Sequence, residues 1–270
     1  MVATDKVFAG SIPEIYDRFM VPLIFEPYAA DLAGRVAALA PRDVLETAAG
    51  TGVLTRALAS RLAPATPIVA TDLNQAMLDQ AARRQQGGVV EWQQADALAL
   101  PFGDRSFDVV ACQFGAMFFP DKVQGYKEAR RVLRPAGRFL FNVWDRIADN
   151  EFADVVTEAL AEVFPDDPPR FMARTPHGHH DVERIRQDLK AAGFAEVAVD
   201  AVDARSRAPS ARHVAIAYCQ GTPLRSEIEQ RDAARLEEAT DRAAAAVAAR
   251  FGSGAIDGRI RAIVVSAAAP

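Results

Sequence analysis

Between Pro41 and Trp144 short apolar runs alternate with amphipathic stretches, and this rhythm limits the folds open to the chain more than anything else in it. Val44-Leu45-Glu46, Pro67 to Thr71, Val89 to Trp92, Phe107 to Cys112 and Arg138 to Trp144 read as strands. Val109-Val110-Ala111 is apolar on both faces, as a strand covered from both sides must be. Between the strands, Val53, Leu54, Ala57, Leu58 and Leu62 recur at helical spacing. Asn74 is placed to cap a helix through Met77, Leu78 and Ala81 that Gly87-Gly88 ends, and Asp121 to cap one with Val123, Tyr126 and Leu133 inward. The expected fold is α/β: a doubly wound, mostly parallel sheet with helices on both faces.

The flanks keep a different rhythm. Ser11 and Glu14 resemble a capping box ahead of a helix that puts Tyr16, Phe19 and Met20 on one face. A second helix, Pro27 to Ala40, carries the stripe Tyr28, Leu32, Val36 and Leu39. Beyond Trp144 come a helix from Phe152 to Phe164, a loop at Pro165–Pro169, a helix from Asp181 to Gly193 and a strand from Glu196 to Val202. A long helical stretch, Ser210 to Arg250, is broken at Gly221-Thr222-Pro223, and Arg259 to Ser266 reads as a last strand. The stripe Leu224, Ile228, Leu236, Ala243 and Val247 faces inward, and its charged reverse is solvated surface or the contact of a homodimer. The expected division is 1–40 as an N-terminal helical cover, 41–145 as the ligand-binding core, 146–180 and 207–255 as helical inserts, 181–206 as a returning helix and strand, and 256–270 as the last strand. Inserts of this size usually serve as lids or binding elements.

Composition excludes several classes. The net charge of −5 over 270 residues gives no affinity for a phosphate backbone, so no nucleic-acid partner is expected. Two cysteines, Cys112 and Cys219, make no disulfide framework. No apolar run approaches the ~20 residues of a membrane span, and Met1 to Gly10, with Asp5 and Lys6, lacks the apolar centre of a signal peptide. A cytoplasmic protein is expected. His177-Gly178-His179-His180 has no nearby carboxylate or thiolate partners and reads as a polar surface loop, not a metal site.

The chemistry concentrates in Asp43-Val44-Leu45-Glu46-Thr47-Ala48-Ala49-Gly50-Thr51-Gly52-Val53-Leu54, a strand, a small-residue turn and a helix. Gly50 and Gly52 let a ligand approach the backbone, and the helix start favours an anionic group. A phosphate loop would need Lys after Gly52, where Val53 stands, and a dinucleotide fingerprint would need Gly or Ala where Thr55 stands. Asp72, Asp96 and Gln113 follow the next strands at their carboxyl ends, where open α/β sheets bind ligands. Asp72 can accept from two ribose hydroxyls, Asp96 from an exocyclic amine, and Glu46 brings negative charge to a cationic centre. Together they suit a nucleoside with a positively charged attachment.

These blocks resemble the class I S-adenosylmethionine-dependent methyltransferases, close to the small-molecule enzymes related to quinone and sterol biosynthesis. The resemblance rests on Val44 to Gly52, Ala70-Thr71-Asp72-Leu73-Asn74 with Met77-Leu78, Gln94-Ala95-Asp96-Ala97 with Leu100-Pro101-Phe102, Phe107 to Val110, and Glu128 to Arg138. The family usually has Gly where Ala48 stands, a change expected to narrow the turn without abolishing binding. The resemblance implies a Rossmann-like seven-stranded sheet with an antiparallel last strand. It implies S-adenosylmethionine as cofactor and S-adenosylhomocysteine as product. Glu46, Ala48 and Gly50 would line the methionine part, with Thr51 and Gly52 completing the turn. Asp72 would hold the ribose, Leu73 and Met77 would flank the adenine, and Asp96 and Ala97 would meet its edge. Gln113 and Phe114 would stand near the sulfonium, and Tyr16 would reach the cofactor from the N-terminal helix.

The expected reaction is in-line transfer of the methyl group to an O, N or C nucleophile of a small molecule. Because the leaving group is already good, orientation dominates, and His213 and Tyr16 are only candidates for a catalytic side chain. A cofactor-binding protein without turnover is the alternative. A nicotinamide oxidoreductase is disfavoured by Thr55, and base methylation by Gln113-Phe114-Gly115-Ala116 in place of an Asn/Asp-Pro-Pro-Tyr motif. Asp72→Ala is expected to weaken cofactor binding with little loss of fold.

Overall fold

The computed structural model describes residue 5 and residues 10–87 and 89–270. The rest of the Met1–Gly10 segment, and the Gly88 half of the helix stop, lie outside the described residues. The chain opens with α1 (Ile12–Ile15), a π-helix (Tyr16–Phe25) and α2 (Glu26–Ala37). Then follow β1 (Val44–Glu46), α3 (Val53–Arg61), β2 (Pro67–Asp72), α4 (Gln75–Arg84), β3 (Val89–Gln94), β4 (Phe107–Gln113), α5 (Lys122–Val132) and β5 (Leu133–Trp144). The remainder is α6 (Glu151–Val163), α7 (Phe171–Arg174), α8 (Val182–Ala191), β6 (Glu196–Ala208), α9 (Ala211–Gln220), α10 (Leu224–Asp232), α11 (Leu236–Phe251) and β7 (Ile256–Ala268).

Seven strands form one sheet in the order β3-β2-β1-β4-β5-β7-β6. Strands β1 to β5 pair in parallel. β7 runs the other way: Ala269 N–H donates to Gly137 O at 2.9 Å, while Asp145 N–H donates to Arg261 O at 3.1 Å. The ion pairs Arg261–Asp203 and Arg207–Asp257 run in opposite senses along β7 and β6, so these two strands are also antiparallel. The doubly wound sheet with a reversed last strand is therefore the observed fold.

The chain forms two compact units. The sheet unit takes Tyr28–Val143, His179–Val202 and Ala262–Pro270. On one face of its sheet, Leu32, Ala33, Val36, Leu54 and Leu58 of α2 and α3 cover Val44, Ile68, Val109, Ala111, Leu140 and Val264. Each apolar side chain buried this way contributes roughly 1.5–3 kcal/mol. Tyr126 of α5 packs on Phe139 and Phe141, with ring centroids 5.7 and 5.3 Å apart. The helical unit takes Pro27 and the described residues before it, Trp144–Gly178 and Asp203–Arg261. Within it, Glu227 accepts the N–H groups of Arg170 and Phe171 at 2.8 and 3.1 Å, and Arg174 bridges Glu227 to the buried Asp5.

Several local expectations change. Tyr16–Phe25 is a π-helix because Pro22 lies inside it: a proline ring clashes with the carbonyl four residues back, and the wider turn relieves this. Glu26 N–H accordingly donates to Val21 O, five residues back. Ser11 caps nothing with its side chain and instead accepts from Arg225 at 2.8 Å. α2 stops at Ala37, which leaves Leu39 43% exposed. The stretch after Pro223 breaks again at Ala233–Arg235, where Asp232 accepts from Ala234 N–H. The histidine run is not a surface loop either. His177 is buried and donates from Nδ1 to Asp145 O at 2.8 Å, and His179 is buried with Nε2 3.0 Å from the Tyr126 hydroxyl.

Burial pushes His179 down to about 3, with Lys122, Arg184 and His180 adding repulsion. The unfolded chain protonates this ring near 6.5, so between these values it binds a proton that the folded chain does not. Stability is therefore expected to fall as pH drops from 6.5 toward 3, by up to about 1.4 kcal/mol per pH unit from this group. His179→Gln keeps a partner for Tyr126 and should flatten that limb of a melting-temperature profile; an unchanged slope would assign the acid sensitivity elsewhere.

Candidate functional site

Strand register places four polar side chains on one face of the sheet. Glu46 pairs with Ala70 of β2 and Ala111 of β4, and Gln113 pairs with Asn142 of β5. Side chains two apart share a face, so Asp72, Glu46, Gln113 and Asn142 lie on the face that α2 and α3 cover, at the carboxyl ends of β2, β1, β4 and β5. All four are buried, Glu46 to 1% exposure, Asp72 to 8% and Asn142 to 0%. Buried polar groups ending an apolar face require partners.

The turn after β1 supplies some of them. Ala48, Gly50 and Gly52 all hold left-handed backbone, with φ of 53°, 57° and 77°. The turn is pinned at its edges by Thr47 N–H to Ala111 O and Ala49 N–H to Thr71 O, both 2.9 Å. Gly52 is required twice, by its φ and because a Cβ there would stand 2.8 Å from the Trp92 ring. A Cβ on Gly50 would meet only the Met77 methyl, at 3.6 Å, so space is open above this backbone. The Thr51 hydroxyl is buried without a hydrogen-bond partner. Asp72 ties two turns together: Oδ2 accepts Gly50 N–H at 2.9 Å and Oδ1 accepts Asn74 N–H at 2.8 Å. Asn74 itself caps nothing with its side chain. Glu46 Oε2 takes the Thr55 hydroxyl proton at 2.6 Å, which leaves Oε1 for a second donor.

Burial pushes the Glu46 carboxyl up to about 8, against the Thr55 bond and the Arg56 charge that favour ionisation, with Asp72 adding repulsion. Burial also raises Asp72, against the bonds from Asn74 and Gly50. Two desolvated carboxyls on one face favour a cationic ligand, whose charge offsets the burial that disfavours their ionised forms. The bonds to Asp72 also revise the expectation for Asp72→Ala. Alanine would orphan two N–H groups at about 1–3 kcal/mol each, so Asp72→Asn, which keeps one acceptor oxygen, is the cleaner variant.

The other expected residues sort by position. Leu73 is exposed and Met77 buried beside Gly50. Asp96 is exposed and accepts Leu98 N–H at 2.9 Å, closing the turn that holds the half-buried Ala97. That loop is held from α5: Glu128 accepts Leu100 N–H at 2.8 Å, Arg131 donates to Phe102 O at 2.7 Å, and Gln124 donates to Leu98 O at 3.1 Å. Phe114 holds φ 50° with the Tyr28 ring edge-on at 5.4 Å. Tyr16 and His213 belong to the helical unit, where Tyr16 packs on Phe25 and His213 on Phe19 at 5.2 and 4.7 Å. Burial lowers the His213 pKa. Among the described residues no three of His, Cys, Asp and Glu gather as a metal site, and no helix is long and apolar enough to cross a membrane. The sequence reading missed Thr55 and Asn142 as site residues. Thr55 was weighed only as a mismatch to the dinucleotide pattern, and Asn142 needs strand register to be noticed.

The methyltransferase-domain family matches residues 45–141. Demethylmenaquinone methyltransferase of Deinococcus radiodurans is 34% identical over 169 residues, 60% of this chain and 69% of that protein. The ubiquinone/menaquinone biosynthesis C-methyltransferase UbiE of Ectopseudomonas mendocina is 30% identical over 207 residues, 72% of this chain and 76% of that one. The chain belongs to this methyltransferase family. It is an S-adenosylmethionine-dependent methyltransferase acting on a small molecule. A methyltransferase structure from Bacillus halodurans shares the fold, with TM-score 0.54 and 21% identity over 90% of this chain and 98% of that one. The residues present fit the cofactor: the orphaned Thr51 hydroxyl, the open backbone over Gly50 and the desolvated Glu46 and Asp72 all await a polar cationic nucleoside.

Ala48, where glycine was expected, has a structural counterpart. Ala48 carries a methyl group at φ 53°, where L-residues lose roughly 1–2 kcal/mol relative to glycine. Its neighbour across the turn is Gly115, where an added Cβ would stand 2.3 Å from the Ala48 methyl and 2.8 Å from Cys112 Sγ. The Ala48 methyl group thus fills the space that a side chain at 115 would need. Gly115→Ala is expected to lower the melting temperature sharply, and adding Ala48→Gly should recover part of the loss. Strict additivity of the two changes in thermal denaturation would show that the two turns do not share this space.

Proposed function

We propose that this methyltransferase transfers its methyl group to a ring carbon of a reduced, quinone-type aromatic molecule. The observation that supports the acceptor class is the likeness to demethylmenaquinone methyltransferase and the UbiE C-methyltransferases. In this reading Asp72 uses its remaining lone pairs for the ribose hydroxyls, and Glu46 Oε1 takes the ammonium group of the methionine part. The Ala48–Gly52 backbone and the Thr51 hydroxyl hold its carboxyl end. Leu73 and Met77 flank the adenine, Asp96 and Ala97 meet its edge, and Gln113 and Phe114 face the sulfonium.

Bound S-adenosylmethionine would supply an electrophilic methyl group on a sulfonium, so the ring carbon would give the electron pair of the new C–C bond as the C–S pair passes to sulfur, and the ring proton would leave to water. The chain's own contribution is placement. Holding carbon and methyl in line can contribute about 7–11 kcal/mol. A hydroquinone ring is already electron-rich, so neither His213 nor Tyr16 is needed to remove a proton before attack. Methyl-labelled cofactor with a reduced 2-prenyl-1,4-naphthohydroquinone should give a carbon-bound methyl by NMR. An O-methyl ether, or no labelled product from enzyme that binds the cofactor, would reject the reading.

Ionisation of Glu46 gives a second measurement. With its carboxyl pushed up to about 8, cofactor binding must release a proton at lower pH. Affinity measured by calorimetry should rise between pH 6 and 7.5 by up to about tenfold per unit. Glu46→Gln should bind more weakly and without that slope. A wild-type affinity flat across this range would remove Glu46 from the cofactor contact.

A further inference from the structure

Asn142 stands near the end of β5, wholly buried. Its Oδ1 accepts Phe114 N–H at 3.0 Å, and its own carbonyl accepts the same N–H at 3.1 Å. A backbone N–H requires an oxygen, so this bond fixes which amide atom is which and turns Nδ2 away from Phe114. Nδ2 is buried with no hydrogen-bond partner. An orphaned buried donor costs about 1–3 kcal/mol. The residue it steadies, Phe114, adds the strain of φ 50° in a non-glycine residue. Two unfavourable features therefore meet at one point of the carboxyl edge, where sheets of this kind bind ligands. Nothing in the packing of the sheet demands either: a leucine at 142 would extend the apolar face formed by Val109, Ala111 and Leu140.

Position along the edge identifies the ligand. Asp72, Glu46, Gln113 and Asn142 stand on the neighbouring strands β2, β1, β4 and β5. At about 4.8 Å per strand, Asn142 lies about 14 Å from Asp72. If the cofactor runs from its ribose at Asp72 to its sulfonium at Gln113, Asn142 is one strand beyond the methyl group, on the side of the molecule that receives it. A neutral amide donor suits an oxygen there better than a cation would. It orients the oxygen without withdrawing the electron density that the attacking ring carbon needs.

We propose that Asn142 Nδ2 donates a hydrogen bond to the hydroxyl or phenolate oxygen of the acceptor adjacent to the carbon that is methylated, and so selects an oxygenated ring and sets its orientation. This rests on the quinol reading of the site given above.

Asn142→Leu tests it, because the residue's own carbonyl still accepts Phe114 N–H and leucine carries no donor. Asn142→Ala serves if the leucine variant does not fold. Full-length enzyme saturated with S-adenosylhomocysteine is titrated in calorimetry with 1,4-dihydroxynaphthalene, kept reduced with dithionite, and with naphthalene. The wild type should prefer the dihydroxy compound by about tenfold or more, as expected for one well-placed hydrogen bond. The variant should lose that preference to within about twofold while its affinity for S-adenosylhomocysteine is unchanged. A variant that discriminates as well as the wild type overturns the assignment, and leaves the quinol reading standing because the wild type still prefers the oxygenated ring. Wild-type enzyme that binds S-adenosylhomocysteine but not the dihydroxynaphthalene overturns both.

Discussion

Two backbone N–H groups from different turns converge on one carboxylate. Gly50 reaches Asp72 from the turn after β1 and Asn74 from the turn after β2. Each donor belongs to a segment too short and too irregular to satisfy itself. Buried N–H groups must find acceptors, so Asp72 fixes how the two turns lie against each other. Everything at the carboxyl edge inherits that arrangement: the left-handed path through Ala48, Gly50 and Gly52, the open backbone above Gly50, and the start of α4. A residue that reads as a ribose ligand is also the fastener of the site it serves.

Glu46 makes a related point about charge. It sits at 1% exposure with one oxygen on Thr55, and the Arg56 charge that favours its ionised form does not offset the burial. The protein has placed an acid where its charged form is unfavourable until a positively charged ligand arrives. In the proposed contact, part of the interaction with the cofactor would go to ionising Glu46, lowering affinity as pH falls and sharpening selection for a cationic centre. Thr55 decides which oxygen is left over, and its buried position on α3 makes that choice rigid.

The sheet and its edge were legible in the sequence because period and punctuation are local. The doubly apolar run Val109-Val110-Ala111, the Gly50 and Gly52 pair and the Asp121 cap each declare themselves within a few residues, and Asp121 does accept Gln124 N–H. The polar residues of the carboxyl edge were half legible: Asp72 and Glu46 follow directly from strand ends, but Asn142 joins them only through the β4–β5 register. What misled was local chemistry overridden by tertiary partners. Ser11 resembled a cap yet serves Arg225, and the histidine run looked polar yet divides between Asp145 and Tyr126. The π-helix was hidden because only Pro22 within an apolar run hints at it, and proline usually signals an end, not a widened turn.

The strand latest in the sequence occupies an interior place in the sheet. β7 lies between β5 and β6, antiparallel to both. Until it docks, β5 and β6 each present an unpaired edge, and open edges recruit strands from other chains. Some fifty residues of helix separate β6 from β7, so the gap closes late and over a long loop, an arrangement that slows folding. A nascent or partly unfolded molecule is therefore most prone to associate with its neighbours at this gap.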